Sequence, residues 1–169
     1  MHQAVISFFT KIKEQFPNYF NQIDVLDCGS YDINGNNRRF FTNCNYTGID
    51  IVKGKNVDIV TKVHDFKPEK QYDTVISSEM LEHDKHYWKS LENMFALTKS
   101  KGLLVLTAAG RGRKEHGTSR TSPIDSPMTN DYYLNVDVTM LMSGLNLTKF
   151  SWFIVTYVDA DIQFAGIKE

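Results

Sequence analysis

Apolar positions along the chain follow two periods. Near the N-terminus Val5, Phe8, Phe9, Ile12 and Phe16 recur at helical spacing, with Lys11, Lys13 and Glu14 on the other face. This predicts an amphipathic helix that Pro17 stops. Segment 1–22 therefore reads as a helix packed on one face of a sheet, or as a flap over a ligand. Beyond it the apolar runs become short and β-branched, at 23–28, 46–51, 57–60, 73–77 and 102–107. Nearly continuous Val, Ile and Leu, without alternation, predicts strands buried on both faces of a parallel sheet. Segment 38–43 predicts a helical turn or two. Tyr87, Trp88, Leu91, Met94, Phe95 and Thr98 predict a longer helix, closed by the basic, glycine-terminated run Lys99-Ser100-Lys101-Gly102. Val136, Met140, Leu141 and Leu145 predict another, with Gly144 near its end. The last runs, 147–158 and 162–167, are separated only by Asp159-Ala160-Asp161 and predict an antiparallel hairpin. The expected fold is α/β: a Rossmann-like, doubly wound, seven-stranded and mostly parallel sheet with a C-terminal antiparallel hairpin, in one domain over 1–169.

One stretch fits no element. Residues 110–134 are polar and contain Gly110, Gly112, Gly117, Pro123 and Pro127. A loop of that length within a compact domain is usually functional. It leaves the fifth strand at the carboxyl edge of the sheet, where α/β proteins bind ligands, so it is expected to carry substrate contacts. Arg111, Arg113, Lys114, His116 and Arg120 crowd its first half, a set able to clamp a phosphate or carboxylate. Tyr132 and Tyr133 at its far end are placed to stack on a substrate ring or to anchor the loop.

Composition narrows the class. With 169 residues, 41% hydrophobic, the chain can bury the core of one domain. Nineteen basic and 20 acidic side chains leave a formal charge of −1, so no basic field draws it to nucleic acid or anionic membrane. No apolar stretch approaches the roughly 20 residues of a membrane span, and the start lacks the pattern of a signal peptide. Two cysteines, Cys28 and Cys44, form neither a disulfide framework nor a zinc motif and are expected to be reduced. These features describe a soluble cytoplasmic domain. No HxxxH, HExxH or paired-carboxylate spacing appears, so no metal is expected.

The chemistry gathers after the first strand. Val25-Leu26-Asp27-Cys28-Gly29-Ser30 ends in a glycine that lets a ligand approach the backbone. Asp50 closes the next strand about 20 residues later, where an acid accepts both hydroxyls of a ribose. Gly29 is followed by Ser-Tyr-Asp-Ile-Asn and only then Gly35, instead of the GxGxxG of a pyrophosphate turn. That loop suits a nucleoside without a pyrophosphate, such as S-adenosylmethionine. A nicotinamide enzyme would need the GxGxxG turn and a Tyr-xxx-Lys pair, which the chain lacks.

The ordered segments VLDCGSYDINGNNRRFF, YTGIDIVKGKNVDIV, YDTVISSEMLEH and KGLLVLTAAG resemble class I S-adenosylmethionine-dependent methyltransferases, in particular the small bacterial and phage type 11-like group. The resemblance covers roughly 24–110 and the terminal hairpin. It implies that Asp27, Gly29, Ser30, Asn34 and Gly35 hold the methionine part of the cofactor. Asp50 would bind the ribose, with Ile51 on the adenine face and Val63, His64 and Asp65 along the adenine edge. Ser77, Ser78 and Glu79 would face the methionine portion and the substrate. Where family members often place an acid after the third strand this chain has Lys62, which moves the adenine contact to backbone groups or Asp65.

Methyl transfer is an in-line displacement, so catalysis is chiefly alignment, with a base where the nucleophile arrives protonated. His83 in Glu79-Met80-Leu81-Glu82-His83 is the best-placed base, with His116 and Glu79 as the other candidates. His86 reads as a helix N-terminal residue, and Glu82 serves only if desolvated and otherwise faces water. The expected activity is transfer to a small polar or anionic acceptor at oxygen, by a monomer or homodimer. A non-catalytic module that binds the cofactor or a partner protein would carry the same motifs. A nucleic-acid methyltransferase is disfavoured, because Ser77-Ser78-Glu79-Met80 lacks the proline-rich motif that grips an exocyclic amine.

Overall fold

In the computed structural model, which describes residues 2–169, one seven-stranded sheet forms the body of the molecule. Its strands are β1 (Asp24–Cys28), β2 (Asn45–Asp50), β3 (Ile59–Val60), β4 (Tyr72–Ser78), β5 (Thr98–Ala109), β6 (Phe150–Val158) and β7 (Asp161–Lys168). They lie in the order β3-β2-β1-β4-β5-β7-β6. β1 to β5 run parallel, and β7 pairs antiparallel with both β5 and β6. The three α-helices of the described residues are α1 (Gln3–Gln15), α2 (Tyr87–Leu97) and α3 (Val138–Gly144).

Alternation along the central strands divides the core into two. Leu103, Val105 and Ile76 turn toward Val5, Phe8, Phe9 and Ile12 of α1, with Phe20 and Phe40 beside them. Leu104, Leu106 and Val75 turn toward Leu91 and Met94 of α2 and Leu141 of α3. The N-terminal segment is thus a packing helix, and Pro17 opens a 3-10 turn directly after it.

The crossovers are leaner than a doubly wound pattern suggests. A single 3-10 turn, Asn37–Phe40, stands where a turn or two over 38–43 was expected, and another, Val63–Asp65, follows β3. The third strand shrinks to two exposed residues, and ahead of them stands Asp58, whose amide donates to the Gly48 carbonyl at 2.8 Å. Its carboxylate accepts from the Gly48 amide at 2.7 Å and from Arg38 at 2.6 Å.

α2 ends at Leu97, before the basic run expected to close it. Thr98 already pairs with Tyr72 as the start of β5, and the register then shifts so that Leu103 meets Thr74. Lys99 lies in this irregularity and bridges Asp73 at 2.8 Å. Lys99 thus serves a strand carboxylate instead of helix carbonyls. α3 starts at Val138 behind the Asp137 cap, which leaves Val136 buried outside the helix. β6 begins only at Phe150, after a 3-10 turn at Leu147–Lys149. The hairpin turn is Asp159-Ala160, both left-handed, as a two-residue connection requires. No helix among the described residues is long and apolar enough to cross a membrane.

Candidate active site

The carboxyl ends of the parallel strands open into a cavity of about 790 Å³, within the range of small-molecule sites. Its first wall is the loop after β1. Gly29 takes φ +83, and a Cβ there would meet the Met80 side chain at 2.7 Å. The Gly29 and Ser30 amides both donate to the Ile49 carbonyl, folding the loop back over β2. Asp32 organises the rest of the turn, accepting from the Gly35 amide and from the Asn36 and Asn56 side chains. Its ion pair with Lys55 at 2.9 Å brings its carboxyl down to about 2.

Asp50 stands at the end of β2, accepting from the Tyr31 amide at 3.1 Å and the Val52 amide at 3.0 Å. Each carboxylate oxygen keeps a further acceptor position. Burial pushes its proton affinity up. Beneath the cavity Asp27 accepts from the Tyr46 hydroxyl at 2.6 Å, while its other oxygen meets no partner among the described residues. Ser30 Oγ and Asn37 Oδ1 are likewise buried and unpartnered. Three orphaned polar atoms on one cavity floor are the mark of a site shaped for a polar ligand.

The residues expected to hold the methionine part, Asp27, Gly29, Ser30, Asn34 and Gly35, all line this cavity. So do Asp50, Ile51, Val63, His64 and Ser78, together with Glu79, His83 and His116. Two expected residues do not. Ser77 alternates to the buried side of β4 and donates to the Cys28 carbonyl at 2.8 Å. The Asp65 carboxylate points to solvent, 3.9 Å from His64 Nε2.

At the far end Glu79 leaves β4 with φ 55, a left-handed backbone of the kind that collects at functional sites. It accepts from the Thr107 hydroxyl at 2.9 Å and faces His2 Nε2 at 3.2 Å. His2 also reaches Asp161 at 3.1 Å, and Asp161 pairs with Arg113 at 2.8 Å. The bond to Glu79 raises the His2 pKa, and burial raises that of Asp161 to about 6. These contacts tie the start of α1 to the long loop across the sheet edge.

His83 is buried, and desolvation brings its imidazole down to about 4. Neutral at physiological pH, it offers a lone pair more readily than it takes a proton. The His116 ring stands edge-on to it, with centroids 5.0 Å apart, and Tyr133 packs on both. Glu82 does not face water. It is fully buried, neither carboxylate oxygen has a hydrogen-bond partner among the described residues, and burial pushes its carboxyl well above the ordinary range.

Segment 110–134 folds over this end. Of its basic cluster, only Arg113 and His116 line the cavity. Arg113 is engaged by Asp161, and Arg120 turns away to Glu115 at 2.6 Å. Tyr132 lines the cavity, while the Tyr133 hydroxyl anchors to the Lys114 carbonyl at 3.1 Å. Sequence reasoning missed His2, Asn37, Met80, Lys85 and Met128 as lining residues. Asn37 lies within the motif after β1, and Tyr31 belongs to the loop up to Asn34 expected to hold the methionine part. His2 is brought in only by the packing of α1.

A sequence model of the methyltransferase-domain family matches residues 3–132. A comparison with curated protein sequences finds no match. Among solved structures, 1,6-didemethyltoxoflavin-N1-methyltransferase of Burkholderia thailandensis, crystallised with 1,6-didemethyltoxoflavin and S-adenosylhomocysteine, superposes with a TM-score of 0.66. Identity is 14%, over 95% of this chain and 76% of that one. The N-methyltransferase NodS of Bradyrhizobium japonicum WM9, in complex with S-adenosylhomocysteine, gives 0.65 at 10% identity, over 96% and 86% of the two chains. Phosphoethanolamine N-methyltransferase 2 of Haemonchus contortus, in complex with S-adenosylmethionine, gives 0.67 at 14%, over 96% of this chain and 52% of its own. The match to the family over most of its length, on the seven-stranded sheet these enzymes share, places this chain in the methyltransferase-domain family.

Proposed function

We propose that this methyltransferase uses S-adenosylmethionine to methylate a small polar or anionic acceptor at oxygen, the whole chain working as one domain. The observation that carries the reading is the shared cavity. The Asp50 carboxylate and the unpartnered atoms of Asp27, Ser30 and Asn37 line or floor one part, and Glu79, His83 and His116 line the other.

These residues fit the cofactor. Asp50 would accept the ribose hydroxyls through its remaining acceptor positions, and Ile51 and Val63 would supply apolar contact for the adenine. Asp27, Ser30 and Asn37, with the backbone of the Gly29 turn, would meet the charged amino-acid end. When bound, the cofactor supplies a methyl group activated by its sulfonium. The chain's own part is alignment and water exclusion: the β1 loop holds one reactant, and segment 110–134 roofs the place of the other. Glu79, His83 and His116 flank the acceptor position, where a hydroxyl must lose its proton. Free Cys28 and Cys44 fit a reducing, cytoplasmic setting.

Calorimetric titration with S-adenosylhomocysteine tests the cofactor site. The wild type is expected to bind at sub-millimolar ligand, with Asp50→Ala and the milder Asp50→Asn at least tenfold weaker. No binding, or binding indifferent to both changes, would remove the assignment. A labelled-methyl screen over hydroxyl, carboxyl and amine acceptors then tests the preference for oxygen.

A further inference from the structure

We propose that Glu82, His83 and His116 form a binding site for one divalent first-row transition-metal ion at the acceptor end of the cavity. One ligand atom from each lies within 4.8 Å of the other two, and His116 Nε2 stands 3.8 Å from Glu82 Oε1. That gap is too long for a hydrogen bond. It is close to the ~3.4 Å that separates two ligands each ~2.1 Å from a tetrahedral ion. No spacing motif joins the three residues; the fold brings the loop histidine onto the pair that follows β4.

The orientation of both rings suits metal binding, while the 3.8 Å gap disfavours a hydrogen-bonded ion pair. His83 Nδ1 faces the Tyr132 carbonyl at 3.4 Å, and His116 Nδ1 faces the Lys114 carbonyl at 3.2 Å. A backbone carbonyl opposite Nδ1 selects the tautomer with its proton there and leaves Nε2 as a lone pair, the outer-sphere arrangement of metal-bound histidine. Glu82 supplies the charge. Its buried carboxylate has no hydrogen-bond partner on either oxygen among the described residues, an arrangement that a cation relieves.

The loop is seated to hold this geometry. Gly117, next to His116, takes φ +70, and a Cβ there would come within 2.8 Å of His83 Cε1. At the loop's other end the Leu134 amide donates to the Glu82 carbonyl at 2.9 Å. The neighbouring group of His2, Glu79 and Asp161 differs: although Asp161 Oδ2 makes no hydrogen bond, His2 and Arg113 already stand within 3.2 Å of its carboxylates as their counter-charges.

Two imidazole nitrogens and one carboxylate suit Mn²⁺, Fe²⁺, Co²⁺ or Zn²⁺ better than Mg²⁺. Three protein ligands leave coordination positions open to an acceptor oxygen, and a metal-bound hydroxyl ionises more easily. This last consequence rests on the methyltransferase reading above; the site itself does not.

The test uses the full chain, stripped with chelator and titrated calorimetrically with Mn²⁺ and, separately, Zn²⁺. One ion per chain is expected, with affinity reduced at least tenfold in Glu82→Gln and in His116→Ala. Bound Mn²⁺ should show imidazole nitrogen couplings by pulsed electron paramagnetic resonance, reduced in His116→Ala. His116 is a partly exposed loop residue, so its variant keeps the test valid if Glu82→Gln fails to fold. Absence of binding at millimolar ion would overturn the proposal, as would affinity and nitrogen coupling unchanged in His116→Ala. S-adenosylhomocysteine is titrated into the same samples. Binding of it without the ion defeats the metal site alone; binding of the ion without it leaves the metal site standing and defeats the cofactor assignment.

Discussion

Asp27 accepts one hydrogen bond from Tyr46 and leaves its other oxygen unpartnered in the cavity floor, with burial raising its pKa to about 6. An aspartate in the unfolded chain titrates near 3.8, so between these values the folded state holds a proton that the unfolded state has lost. Stability therefore falls as pH rises from about 3.8 to 6, and the full cost, on the order of 3 kcal/mol, is present above that window. Asp27→Asn keeps an acceptor for Tyr46 and removes the charge. It should melt several degrees above wild type at pH 7.5, with the gain vanishing near pH 4, as thermal scans across pH would show. The same change is expected to weaken S-adenosylhomocysteine binding, because the group that costs stability is the one shaped for the ligand. Asp27, Gly29 and Asp50 were legible in the sequence because their roles depend on local backbone: a strand end, a turn, another strand end. Glu82 was not, since a charged residue beside Leu81 and His83 reads as solvent-facing until tertiary packing covers it.

α1 owes its place to side chains that fit against the sheet more than to any capping signal, for its N-cap, His2, makes no side-chain bond to the helix's own amides. Phe9 is fully buried and stacks on Phe40 with ring centroids 5.3 Å apart. Phe9→Ala should cost about 3–5 kcal/mol, read from the midpoint of urea unfolding. The slope of that transition should stay unchanged, since the helix is part of the sheet's own core. The buried parallel strands and this helix were readable because hydrophobic period and burial coincide in them. The end of α2 was not. Lys99 and Lys101 look like helix-terminal charges, but Thr98, β-branched and opposite Tyr72, starts the strand first. The two-residue β3 was also overestimated, because Val57 belongs to the preceding turn, its amide donating to the Gly54 carbonyl at 3.2 Å.

The molecule as a whole combines a sheet that spans the chain with one long segment that leaves it and returns to the same spot. The Val136 amide donates to the Ala109 carbonyl at 2.7 Å, closing the base of segment 110–134, and Asn135 reaches back to the Gly110 carbonyl. Replacing 114–131 by a short glycine-serine linker, which keeps Arg113 on Asp161, should leave the sheet folded. It should keep most of the affinity for S-adenosylhomocysteine while abolishing transfer to the natural acceptor, as calorimetry and a labelled-methyl assay would report. The near-neutral total charge is compatible with this arrangement, since two of the segment's four Lys and Arg side chains, Arg113 and Arg120, are matched by Asp161 and Glu115. Its two ends meet at a hydrogen-bonded neck, and Arg113 on Asp161 and the Leu134 amide on the Glu82 carbonyl pin it to the body, so the stretch between these anchors is an exchangeable cassette. Descendants of this chain could trade acceptors by swapping one peptide, provided that Met128 or an equivalent still covers the Ile51 side of the cavity, and a protein engineer could do the same by grafting.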